Sequence, residues 1–322
     1  MPAQPGYSQL HINAPLTNVS VAYQQNAADF ISDKVFPQVP VDRQGDLYFR
    51  YLLEDWIRGQ AELRAPGSET AGGGYDVDTD SYFANVFGVH KDIDDQTTAN
   101  APSMFNLERD ATEWVTRQLL LKREKDFIAS FIKSGVWTGS TTGTDLVPTT
   151  KWDTAGSTPV EDVAAQRLAI QGHTGMRPNT MVLGANVPDA LFNNPEVLDR
   201  IKYTGAGGFA NLGTLAALFG VDRILVASAV QNTAAKGATA SIDFLTKKSA
   251  FLCYSEPNPG LMKASAGYIF TWNGLLGAGS YGTRIKSWYI QEIASTRVEG
   301  ETAYAMKVVS PILGAFWPQV LN

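Results

Sequence analysis

A chain of 322 residues has room for one large domain or two ordinary ones. Its net charge of −6 excludes a general nucleic-acid binder that works through a basic face. Charged residues make up only 18% of the chain, against about 25% in ordinary soluble domains, which suits a protein that hides much of its surface in an assembly.

No apolar run approaches the ~20 residues of a membrane span. The opening Met1-Pro2-Ala3-Gln4-Pro5-Gly6 has neither the basic region nor the apolar core of a signal peptide, so none is expected. Cys253 is the single cysteine, which rules out an internal disulfide or a cysteine cluster.

Residues 1–45 are polar and punctuated by proline, with a hint of a short helix at 27–35. They read as an arm that lies on something else. Residues 46–94 read as a long two-stranded excursion. Leu47-Tyr48-Phe49-Arg50-Tyr51 leads out, and Tyr75 to Asp78 and Tyr82 to Val89 lead back, around a Gly-rich middle containing Gly72-Gly73-Gly74. Such a hairpin cannot bury a core alone and needs a partner surface.

A long helix is expected over 106–134. Asn106 suits the N-cap, acidic residues crowd the first turns, and Gly135 suits the stop. Leu107, Trp114, Leu121 and Ile128 fall one heptad apart and predict the packed face, widened by Val115, Leu120, Phe127 and Phe131. Glu113, Arg117, Lys122, Arg123, Glu124 and Asp126 are then expected on the solvated side.

Beyond it, Thr158-Pro159-Val160-Glu161 has the form of a capping box opening a helix, with Gly172 as its end. Thr180 to Leu183 predicts a short buried strand, and Asn186 and Asn194 predict the caps of short helices. Leu215 to Phe219 predicts a helix stopped by Gly220. Ile224 to Val226 and Ala250 to Tyr254 predict strands. The C-terminal region alternates like strands, with Glu299-Gly300 placed to turn the chain back. Helices and strands do not alternate regularly, so the expected class is α+β.

Catalytic and ligand motifs fail on inspection. Gly277 to Gly282 matches G-x-G-x-x-G, but the residues after it alternate like a strand rather than opening a helix. Asp76, Asp78 and Asp80 begin like a calcium loop, yet Ser81 and Phe87 stand where glycine and glutamate are required. His11, His90 and His173 lack metal-ligand spacing, and Cys253 sits in an apolar strand where a buried thiol is the default. No nucleophile elbow or phosphate loop is present. No catalytic residue, cofactor or metal is therefore expected.

The order of parts, with several stretches of wording, resembles a tailed-bacteriophage major capsid protein of the Hong Kong 97 type. The stretches are Leu63 to Glu69, Phe87 to Ile93, Arg177 to Gly184, Asn194 to Thr204 and Leu215 to Val221. The resemblance implies an N-terminal arm at 1–45 and an extended loop at 46–94. It implies a peripheral domain at 95–178 with a spine helix at 106–134, an axial domain at 179–281, and a return to the peripheral domain at 282–322. It also implies self-assembly into hexamers and pentamers of an icosahedral phage head around double-stranded DNA, held without sequence specificity. A separate scaffolding protein and a portal protein are the implied partners, with a decoration protein as an optional one and no membrane. The implied location is the virion capsid, reached from the host cytoplasm during assembly. The expected inter-subunit contacts lie on the loop, at Trp56, Arg58, Glu62, Arg64 and Glu69. Two alternatives stay open: an encapsulin-type nanocompartment shell, and a soluble enzyme.

Overall fold

The computed structural model describes residues 25, 29–51, 53–101, 106–202, 210–260, 262–276 and 283–322. Most of the expected arm and all of the Gly277 to Gly282 loop lie outside these residues, as does His11. The class is α+β, as expected.

The chain opens with helix α1 (Ser32–Val35) and strands β1 (Gln38–Val41) and β2 (Gly45–Tyr51), then helix α2 (Leu53–Ile57), β3 (Val77–Phe83) and β4 (Asn85–Asp94). Helices α3 (Asp95–Asn100), α4 (Leu107–Phe131) and α5 (Pro159–Thr174) follow, then β5 (Thr180–Gly184) and helices α6 (Val187–Phe192), α7 (Pro195–Ile201) and α8 (Leu212–Phe219). The last third holds β6 (Arg223–Ala227), β7 (Val230–Asn232), β8 (Ile242–Phe244), β9 (Ala250–Cys253), β10 (Gly267–Trp272), α9 (Asn273–Leu276), β11 (Thr283–Ile290), β12 (Ser295–Val308) and β13 (Gly314–Trp317).

These strands make a five-stranded sheet in the order β1-β10-β12-β11, with β4 also on β12, and a four-stranded sheet in the order β13-β9-β5-β6. Two hairpins, β2-β3 and β7-β8, stand apart from both sheets. The expected return strand around Tyr82 to Val89 is two strands. Up to Phe83 it pairs with β2, and from Asn85 it pairs with β12, with fully buried Ala84 at the junction.

Helix α4 begins as expected, with Asn106 Oδ1 accepting from the Arg109 N–H at 3.0 Å. Its packed face differs from the heptad stripe. Ala111, Val115, Leu119, Arg123, Phe127 and Phe131 are buried, whereas Trp114 is 43% exposed. The buried row repeats every four residues, an inclined ridge rather than a supercoil seam. Val115 and Leu119 lie over β12 at Gly300, where an added Cβ would sit 2.4 Å from Val115 Cγ1 and 2.9 Å from Leu119 Cδ1.

Gly300 is thus no turn residue. It sits inside β12 because the helix approaches there too closely for a side chain, and the chain reverses instead at Gln291–Ile293, with Ala294 at φ +42°. Gly300→Ala is expected to destabilise the subunit by about 1–3 kcal/mol through overpacking, read as a lower thermal midpoint.

A second correction concerns Arg123 and Glu124. Both were placed on the solvated side, yet they are 4% and 0% exposed because α1 and the residues before it cover them. Their neighbours behave as expected for exposed positions, with Lys122 paired to Asp126 at 2.7 Å.

The buried strand β5 and the caps of α7 and α8 match the sequence. Asn194 Oδ1 accepts from Glu196 N at 2.9 Å, and Gly220 takes φ +64°. Helix α5 runs past Gly172 to Thr174 and stops at Gly175, φ +72°. Its N-cap Thr158 makes no side-chain cap bond, and Leu168 on the helix is exposed. Cys253 is fully buried at the end of β9, and burial pushes its thiol up. Cys253→Ser should cost about 1–3 kcal/mol by leaving a hydroxyl in an apolar site, and reductant should leave the wild-type protein unchanged. A loss of assembled material on reduction would contradict this placement.

Candidate subunit interface

The β2-β3 hairpin has two unlike faces, set by the two-residue period of a strand. In its ladder Tyr48 opposes Asp80 and Asp46 opposes Tyr82, and these tyrosines face the subunit. Tyr82 stacks on Phe270 at 4.6 Å, and Tyr48 lies 5.3 Å from the same ring. The Tyr48 hydroxyl donates to Asp80 Oδ2 at 2.8 Å. Burial and that carboxylate push the Tyr48 phenol up, and the same bond holds Asp80 below the usual carboxylate range. Tyr82 is therefore spent inside its own subunit.

The opposite face carries Leu47, Phe49, Val77 and Phe83, all in the alternate register. Leu47, Phe49 and Phe83 are 62%, 63% and 59% exposed. A row of large apolar side chains along one ladder, open to water, is the mark of a contact surface. The sequence already held this signal, in the alternation of Leu47-Tyr48-Phe49-Arg50-Tyr51, but Leu47 and Phe49 were missing from the expected contacts.

Beyond the ladder the loop organises itself. Tyr51, Trp56 and Tyr75 form a ring triangle with centroid distances of 5.5 to 6.1 Å. Asp55 Oδ2 accepts from the Asp76 N–H at 2.9 Å. The Gln60 side chain pairs with the Gly74 backbone in both directions, at 3.0 and 3.1 Å, as a strand partner would. Arg64 Nε donates to Ser68 O at 2.6 Å. The loop brings all five expected contact residues onto one projection. Trp56, Arg58, Glu62, Arg64 and Glu69 are exposed, and Leu63 beside them is fully so.

Asp76, Asp78 and Asp80 are spread along the hairpin. Among the described residues no group of three or more His, Cys, Asp or Glu side chains could hold a metal ion. His90 lies 3.9 Å from Asp92, whose carboxylate takes two bonds from Arg297 at 2.7 and 2.8 Å and is held low by them. No helix of the described residues is long and apolar enough to cross a membrane.

Comparison with known proteins gives a consistent result. The family model for phage major capsid protein E matches residues 140–264. The major capsid protein of Burkholderia phage BcepMu is 28% identical over 224 residues, 69% of this chain and 71% of that protein. Among solved structures, a phage-related protein from Bordetella bronchiseptica RB50 superposes with a TM-score of 0.67 at 21% identity, covering 92% of both chains. The capsid of cyanophage P-SCSP1u gives 0.61 at 12% identity, over 98% of this chain and 94% of that one. The holo-SrpI encapsulin complex from Synechococcus elongatus PCC 7942 gives 0.52 at 12% identity, over 96% and 94%. Sequence relatives and fold agree: the chain is similar in sequence to phage major capsid proteins and has the mixed helix-and-sheet fold of phage capsid structures.

Proposed function

We propose that this protein builds hexamers and pentamers of an icosahedral phage head that encloses double-stranded DNA, and that the β2-β3 loop is the main grip between neighbours. The observation that carries this reading is the hairpin's asymmetry. One face is spent on Phe270, while the other leaves Leu47, Phe49 and Phe83 wet. Covering that row contributes about 25 cal/mol per Å² of apolar surface. Trp56 extends the row toward the tip, and Arg58, Glu62, Arg64 and Glu69 supply ion pairs of about 0–1 kcal/mol each. Around a closed ring, such contacts add through effective concentration.

In this reading residues 1–45 are the arm, 46–94 the extended loop, and 95–178 with 282–322 the peripheral domain around the spine helix. Residues 179–281 are the axial domain. Assembly takes place in the host cytoplasm with a separate scaffolding protein and a portal protein, with a decoration protein as a possible later addition. The net charge of −6 fits DNA that is enclosed rather than gripped by a basic face.

The encapsulin superposition gives the second reading, a shell around a cargo protein. Electron microscopy of the purified, concentrated protein tests both. Closed shells are expected, and virions should hold nuclease-protected DNA within the same shell. Small discrete particles that never close would contradict the proposal, and shells packed with protein would favour the second reading.

A further inference from the structure

Helix α1 and its flanking residues form a strap between α4 and the four-stranded sheet. On the α4 side, Glu124 Oε2 accepts from the backbone N–H of Ile31 at 3.0 Å and of Ser32 at 2.9 Å, and Arg123 pairs with Asp33 at 2.9 Å. On the sheet side, the Val35 carbonyl accepts from Arg223 Nη2 at 3.1 Å and from Ser255 Oγ at 2.6 Å. Ser228 Oγ donates to Asp29 Oδ1 at 3.1 Å. The Phe36 ring fills the junction, 4.7 Å from Phe131 and 6.4 Å from Phe251. The strap ties the two parts of the molecule together.

The tie contains one mismatched group. Glu124 is fully buried beneath the strap, and among the described residues its Oε1 has no partner at hydrogen-bond distance, with the Ser32 hydroxyl as the nearest side-chain donor. The charges around it are few. Arg123 is the adjacent cation, with its guanidinium 5.5 Å over the Tyr304 ring, and Asp33 of the strap competes for it. The Tyr304 hydroxyl donates to Asp126, which Lys122 holds in turn. Lys34 belongs to the strap, and Arg223 faces Val35 from the sheet. A buried carboxylate oxygen without a donor is costly. A proton from solvent on Oε1 removes the buried charge.

We propose that Glu124 is a proton-operated lock on the strap. Ionised, it holds the strap at the cost of a charge buried away from water; protonated, it is relieved of that cost, and the tie tightens. The direction of its titration agrees, since burial pushes the Glu124 carboxyl above the usual carboxylate range. With the strap open, Glu124 reaches water and regains an ordinary value near 4.3. The closed strap therefore binds the proton more tightly. Its stability is greatest below that ordinary value and declines as pH rises through the raised one.

The test is hydrogen exchange at the Ile31 and Ser32 amides in the full chain, corrected for intrinsic rates, from about pH 8 to about pH 5. Protection should rise on acidification, by about tenfold for each unit by which the carboxyl is raised. Glu124→Gln, neutral and able both to accept and to donate, should keep the high protection throughout. Ser32→Ala should enlarge the response, because the Ser32 hydroxyl is a donor that favours the ionised carboxylate. Flat or falling protection in the wild-type chain would overturn the proposal whether or not either variant folds. So would a Glu124→Gln protein that keeps the wild-type slope. No part of this test depends on shell formation.

Discussion

Phe131→Ala should lower the stability of the subunit by about 3–5 kcal/mol, the cost of truncating a large aromatic in a closed core. Phe131 is fully buried at the end of the long helix, with Phe36 at 4.7 Å, Phe127 at 5.1 Å and Trp137 at 6.5 Å between ring centroids. Its ring also lies against Gly267, where an added Cβ would come within 2.7 Å of Phe131 Cε1. Helix, strap and β10 meet at this ring, so the vacated space cannot be filled from one side alone. Trp114→Ala is the matched control. The same helix carries it, but Trp114 is 43% exposed, so its loss should cost about 1 kcal/mol or less. Chemical denaturation of the two variants separates them. Equal midpoints, or a larger loss for Trp114→Ala, would restore the heptad face and contradict the four-residue ridge.

The contrast shows where sequence reading succeeds and where it stops. Local signals carried the helix ends at Asn106, Asn194 and Gly220, which act on backbone groups within one turn, but not the end of α4, expected at 134 before Gly135 and found at Phe131, nor that of α5. The period of strand β5 and the hairpin β2-β3 was legible for the same reason. The face of α4 was harder to read. The expected widened face and the observed ridge share Val115, Phe127 and Phe131, and only the position of β12 decides between them. Arg123 and Glu124 look solvated in sequence because their cover comes from residues 31–33, over ninety positions away in the chain for Glu124. Gly300 reads as a turn because glycine serves both turns and close approaches. The loop was legible as an excursion in need of a partner. Which of its faces is already spent was not, since that depends on Phe270, a strand far along the chain.

The largest effect on function is expected from the loop itself. Replacing residues 59–74 with a short turn removes Leu63 and the exposed charges at Glu62, Arg64 and Glu69, and it removes Gln60 with its Gly74 partner. It leaves the β2-β3 ladder and its anchoring tyrosines on Phe270 in place. None of the removed residues is buried, so the subunit should fold with an unchanged circular dichroism spectrum and a melting midpoint within a few degrees of wild type. Shell formation should fail, because a hairpin shortened at its tip no longer reaches across a neighbour. The same preparation, viewed by electron microscopy beside the wild type, measures both outcomes. The account predicts a folded subunit that forms no shells of normal size. Normal shells from the shortened chain would contradict it, and a globally unfolded product would show that the loop belongs to the subunit's own core.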